Sequence, residues 1–103
     1  MEKDNYITKV VFRKWRGEII ALFPYEFTDQ IGFFCSSYMH VGQHGSADYT
    51  SIINRSKPAL PAEYLPLKKE LIGLGYNLLI IQKININEWY EAKKKYKKHL
   101  NSL

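Results

Sequence analysis

The segment Thr8 to Phe23 leaves the chain little choice of architecture. Thr8 to Trp15 sets Val10 and Phe12 on one side and Val11, Arg13 and Trp15 on the other, the period-two pattern of a strand. Arg16-Gly17 supplies a short turn, and Glu18 to Phe23 resumes as an apolar second strand. A connection this short cannot carry a crossover, so the two strands form an antiparallel hairpin. Pro24 is expected to end the second strand. After a loop through Asp29, Ile31 to Val41 alternates again, with Phe33, Cys35, Ser37, Met39 and Val41 on one face and Phe34, Ser36, Tyr38 and His40 on the other. This is the expected third strand, with one polar face.

Gly42-Gln43-His44-Gly45-Ser46 has the chemistry of a turn, and Asp48 to Arg55 fits two turns of helix with Tyr49, Ile52 and Ile53 inward. A longer helix follows, because Tyr64, Leu67, Leu71 and Leu74 recur at spacings of three and four, Pro61 suits its start, and Gly73 and Gly75 suit its end. Pro66 removes an internal hydrogen bond, so this helix is either kinked or starts near Leu65. Tyr76 to Lys83 is a fourth strand, apolar on both faces through Leu78, Leu79, Ile80 and Ile81 and therefore expected inside the sheet. Asn85 or Asn87 caps a lysine-rich C-terminal helix over about residues 86–101, with Glu88 in its first turn. The expected fold is α+β, a single domain over residues 1–103. Its order is βββ-α-α-β-α, giving a small, mostly antiparallel four-stranded sheet with the helices packed on one face.

A chain of 103 residues has room for one core, and any sizeable site on it is shallow or shared between subunits. Apolar residues make up 46% and aromatics 15%, above what a disordered chain carries. No apolar run approaches the ~18 residues that span a bilayer, and Met1-Glu2-Lys3-Asp4-Asn5 lacks the basic-then-apolar order of a signal peptide. The expectation is a cytoplasmic protein that does not engage a membrane. A single cysteine, Cys35, makes no internal disulfide and rules out a cysteine-cluster metal site. The formal charge is +5, of which residues 85–103 hold a net +3 through Lys93, Lys94, Lys95, Lys97 and Lys98 against Glu88 and Glu91. Most of the basic excess therefore belongs to the tail.

Ala21-Leu22-Phe23-Pro24-Tyr25, the run Ser37 to Gly45 and Lys57-Pro58-Ala59 resemble short proteins, without an established activity, of phages and mobile elements of gut bacteria. The resemblance covers Val10 to Ile81 and brings no catalytic or binding residues with it. It implies a setting, the cytoplasm of a bacterial host. Small phage proteins there often inhibit by binding, and some such families sequester the nucleotide signals of bacterial immunity.

The densest polar cluster runs from Tyr38 to Tyr49, at the junction from a strand into a helix. Glycines at 42 and 45 let the backbone approach a ligand, His44 and Ser46 add donors, and Tyr38 and Tyr49 offer faces for a base. The competing reading is an ordinary glycine turn with Ser46 or Asp48 as helix cap and solvated histidines. His40 and His44 have the spacing of two zinc ligands, but Cys35, Asp48 or His99 would be needed to complete a tetrahedral site. Cys35 shares its strand face with Phe33 and Met39, so it reads as a buried, inert thiol rather than a nucleophile. Arg13, Lys14 and Arg16 flank Trp15 in the first hairpin, a combination that can hold phosphate and stack on a base.

The expected function is non-enzymatic, with no cofactor and no metal. It is a phage-type anti-defence protein that sequesters a small phosphorylated nucleotide, a cyclic dinucleotide or a cyclic ADP-ribose-like signal. Its expected site comprises Tyr38, His40, Gln43, His44, Ser46 and Tyr49, with Arg13 and Arg16 neutralising phosphate. One alternative is a protein- or nucleic-acid-binding module using the basic surface, with nucleic acid the less favoured partner. Another is a small phosphodiesterase with His40 and His44 as acid and base. Phe27, Phe33, Phe34, Trp89 and Tyr90 exceed what one small core needs, which points to a homo-oligomer that buries some of them between subunits.

Overall fold

In the computed structural model, which describes residues 6–30, 32, 34–40 and 43–102, β1 (Thr8–Trp15) and β2 (Glu18–Phe27) form the expected hairpin. They pair antiparallel from Val11 opposite Leu22 to Trp15 opposite Glu18. Arg16 and Gly17 both lie at positive φ, 53° and 78°. Two successive left-handed residues give a turn whose twist matches that of the ribbon it closes. Glycine adopts this conformation freely, whereas Arg16 holds it against the clash of its own Cβ.

Pro24 does not end β2. The strand continues to Phe27, and the register against β3 (Phe34–Met39) shifts in between, because Phe23 faces Ser36 while Phe27 faces Cys35. Proline lacks one donor, and inside this bulge the ladder asks none of it. The Pro24 carbonyl instead accepts from Trp89 Nε1 at 2.9 Å. The expected third strand is β3 at its centre; Ile31, Phe33 and Val41 lie outside the described residues.

The segment expected to be a glycine turn is a strand. β4 (Gln43–Asp48) pairs antiparallel with β3 over its whole length, from Met39 opposite Gln43 to Phe34 opposite Asp48. The side chains of Gln43, His44, Gly45 and Ser46 carry no strand pattern, and the pairing is made by the backbone of β3. Helix α1 (Tyr49–Arg55) follows directly, capped by Asp48 accepting from the Ser51 N–H at 3.1 Å. β5 (Lys57–Pro58) then pairs antiparallel with β1 at Arg13 and Lys14.

α2 (Pro61–Gly73) is continuous through Pro66. Its start is fixed by the Leu60 N–H donating to Glu63 at 2.9 Å, a contact that, with Lys14, holds the Glu63 carboxyl below its usual range. β6 (Leu78–Ile80) runs parallel to β1 from Thr8 opposite Leu78 to Val10 opposite Ile80. It pairs only with β1 among the described strands and leaves Leu79 47% exposed, so it is an edge strand and not an interior one. The sheet has six strands in the order β4-β3-β2-β1, with β5 and β6 sharing the outer side of β1, rather than the four expected. α3 (Ile86–Asn101) follows, capped by Asn85 accepting from the Glu88 N–H at 3.0 Å.

Helices cover both faces of this sheet, where cover on one was expected. Val10, Phe12, Ala21, Phe23 and Tyr38 pack with Leu67 and Leu71 of α2. Val11, Ile20, Leu22 and Cys35 pack with Tyr49 and Ile52 of α1 and Trp89 of α3. The reason lies in β1 and β2, which are apolar at consecutive positions, and a strand with two apolar faces requires two layers of cover. Among the described residues no helix is long and apolar enough to cross a membrane.

Candidate functional site

The end of α2 builds one wall of the site. Gly75 takes φ 105°, the Tyr76 N–H donates to the Leu71 carbonyl at 3.1 Å, and the Gly75 N–H donates to that of Ile72 at 3.0 Å. This pair of bonds is the Schellman ending, which needs a residue without a Cβ at the left-handed position. It sends the chain back over the sheet, so that the Tyr76 ring stacks on Phe23 with centroids 5.3 Å apart and planes 5° from parallel. The Tyr76 hydroxyl shares a hydrogen bond with His44 Nε2 at 3.2 Å. His44, opposite Tyr38 across β3 and β4, packs on the edge of that ring at 4.6 Å.

Between this wall and the start of β1 lies a groove of about 570 Å³ lined by Tyr6, Thr8, Glu26, His44, Leu74, Gly75, Tyr76 and Asn77. The Asn77 carbonyl accepts from the Thr8 N–H at 2.8 Å and ties the two sides together. Tyr6 and Glu26 also line a smaller hollow of about 190 Å³ beside Ile7, Lys9, Tyr25 and Glu88. Burial raises the Glu26 carboxyl above its ordinary range, against a hydrogen bond with Tyr6 that lowers it. Burial, with the charge of Glu26 second, also raises the hydroxyls of Tyr6 and Tyr76. The groove therefore presents one carboxyl group flanked by phenolic hydroxyls. A volume of this size with mostly apolar and aromatic walls and a few convergent polar groups is the ordinary form of a small-molecule site.

The residues expected to form one site are divided between the two faces. Tyr38 and His44 lie on the α2 face, where the buried Tyr38 hydroxyl donates to Glu70, whose other oxygen accepts from His40 Nδ1 at 2.8 Å. Gln43 is exposed at the start of β4, Ser46 shares a hydrogen bond with Thr28, and Gly42 lies outside the described residues. Tyr49 is on the opposite face, buried against Trp89 at 5.7 Å. Arg13, 8% exposed, is committed to the end of α1: its guanidinium donates to the Ser56 Oγ at 2.8 Å, the Ser56 carbonyl at 2.7 Å and the Ile53 carbonyl at 3.2 Å. Arg16 lies over the Trp15 ring at 4.6 Å in the hairpin turn. That turn is eight residues along β1 from Thr8, roughly 25 Å at a strand rise of ~3.3 Å per residue. Of the eight, only His44 lines the groove.

No family model, curated protein or solved structure matches the chain.

Cys35 lies on the α1 and α3 face, away from His44, and burial pushes its thiol up to about 12. It is placed neither to join a histidine-based metal site nor to act as a nucleophile. Among the described residues no group of three or more His, Cys, Asp or Glu side chains is gathered closely enough to hold a metal ion. Of the groove residues the sequence singled out only His44 for a site; Thr8, Leu74, Gly75 and Tyr76 entered as strand and helix positions, and Tyr6, Glu26 and Asn77 not at all. Glu26 carried one usable signal, a lone acid between Tyr25 and Phe27, which has meaning only once the strand is known to pass through Pro24.

Proposed function

We propose that the chain is a non-enzymatic binding protein that captures a small nucleotide, with the base against Tyr6 and Tyr76 and the phosphates toward the open rim beside His44. The observation that carries this reading is the groove itself: about 570 Å³, lined by the aromatic rings of Tyr6 and Tyr76 together with Glu26 and His44. Base stacking on a tyrosine contributes about 1–3 kcal/mol and suits any base, while hydrogen bonds select among them. The resemblance to phage and mobile-element proteins supports the setting, sequestration of a nucleotide signal of bacterial immunity in the host cytoplasm. Arg13 and Tyr49 have structural roles in this reading and take no part in capture. Isothermal titration of the purified chain against cyclic dinucleotides and cyclic ADP-ribose isomers tests it. Stoichiometric binding of at least one, weakened tenfold or more by His44→Ala, is expected; binding to none overturns the reading.

A second reading rests on α3, where Lys94, Lys95, Lys97 and Lys98 are exposed and Tyr90 is 54% exposed on the same helix. This helix is a basic and aromatic surface of the kind that attracts nucleic acid, and the hairpin turn adds Arg16 stacked on Trp15. Its signature is binding at low salt that falls steeply as salt rises.

A further inference from the structure

We infer that Glu26 makes the groove selective for guanine, a deepening that rests on the nucleotide reading above. The carboxyl lines the groove in company with Tyr6, Thr8 and Tyr76, at the end of β2 just beyond the bulge. A carboxylate accepts through two oxygens and donates nothing. Its best partner is therefore a ligand edge with two adjacent N–H groups, which it meets with two parallel bonds strengthened by its charge. Among the common bases guanine has such an edge, N1–H beside the N2 amino group. Adenine sets an acceptor, N1, beside its amino donor, so a carboxylate placed there gains one bond and faces a lone pair. Burial makes the ionised form of Glu26 costly, and a double donor favours that form, whereas a mixed edge would favour the protonated one. The surrounding groups agree with this choice. Tyr6 and Tyr76 offer their rings for stacking, their hydroxyls being engaged with Glu26 and His44, while His44 stands at the rim for the oxygen-rich part of the ligand.

Mispairing at a site built for a two-point hydrogen bond costs on the order of tenfold to a hundredfold in affinity. The test is isothermal titration of the whole chain with cyclic di-GMP and cyclic di-AMP, two probes that differ in the base alone. A cyclic ADP-ribose isomer is the third ligand, and E26Q is the variant. Wild type is expected to bind cyclic di-GMP at least tenfold more tightly than cyclic di-AMP. E26Q, which offers one acceptor and one donor, is expected to lose that preference while still binding cyclic di-AMP, which also shows that the variant is folded. Equal affinity of wild type for the two dinucleotides, a preference that survives E26Q, or binding of the cyclic ADP-ribose isomer alone overturns the guanine assignment and leaves the nucleotide reading standing. Binding of none of the three overturns both.

Discussion

Glu26 is the residue at which stability and the proposed binding make opposite demands. Its carboxyl has an ordinary value of 4.5 and is raised in the fold, first by burial. A raised carboxyl favours folding when protonated, so its contribution is fully present below about 4.5 and is lost as pH rises through the folded value. Above that point the ionised group is a net cost, set among Tyr6 and Tyr76, whose hydroxyls feel its charge. Glu26→Gln is therefore expected to be more stable than wild type at pH 7, with the advantage gone at pH 4. Urea midpoints at the two pH values decide it, and an equal advantage at both would mean that the charge is not the cause. Arg13 is the opposite kind of residue, a buried charge that makes three hydrogen bonds at the end of α1. It shows how a basic residue beside a tryptophan, which from the sequence resembles a phosphate ligand, can instead serve a helix end.

At the scale of elements, α2 carries an internal defect. Pro66 is the sixth residue of the helix, where an ordinary residue would donate its N–H to the Ala62 carbonyl. Proline in a helix interior costs about 3 kcal/mol. The helix is held regardless by Leu67 and Leu71 and by the Phe12–Tyr64 stack at 4.4 Å. Pro66→Ala is expected to raise stability by about 1–3 kcal/mol, read from urea denaturation; no gain would mean that the turn around Pro66 is relaxed by other means. Elements whose side chains carry the pattern were legible in the sequence. The β1–β2 hairpin follows from alternation, and short polar side chains narrowed the caps to Ser46 or Asp48 for α1 and Asn85 or Asn87 for α3, of which Asp48 and Asn85 serve. β4 was not legible, because Gln43-His44-Gly45-Ser46 becomes a strand by pairing with β3 and not through its own residues. The groove was hidden for a related reason: residues 6, 8, 26, 44 and 74–77 come from four separate segments, so no local spacing records it.

For the whole molecule, two of the five aromatics that pointed to subunit association, Phe27 and Trp89, pack within one chain. Trp89 is 8% exposed, donates to the Pro24 carbonyl and lies under Lys93 at 3.6 Å, and Phe27 packs on Tyr96 at 5.3 Å. Phe34 and Tyr90 remain on the surface, and Phe33 lies outside the described residues. Trp89→Ala is therefore expected to cost about 3–5 kcal/mol in folding, as for other large buried aromatics, and to do so at every protein concentration. Light scattering and denaturation over a range of concentrations check this; a loss that deepens on dilution would place α3 at a subunit seam.

The two-sided cover of the sheet has a consequence for how the chain finds its alignment. Where one face of a sheet is wet, a strand that slips by one residue turns oil toward water and is rejected. In β1 a slip exchanges Val10 and Phe12 for Val11, one buried set for another, so greasiness hardly distinguishes right from wrong. Proofreading falls to a few polar fixtures: the Thr8 N–H that must reach the Asn77 carbonyl, the Arg13 fork that must reach α1, and the Arg16-Gly17 turn that counts two residues and no more. The alignment of this largely apolar sheet is written in its least apolar atoms.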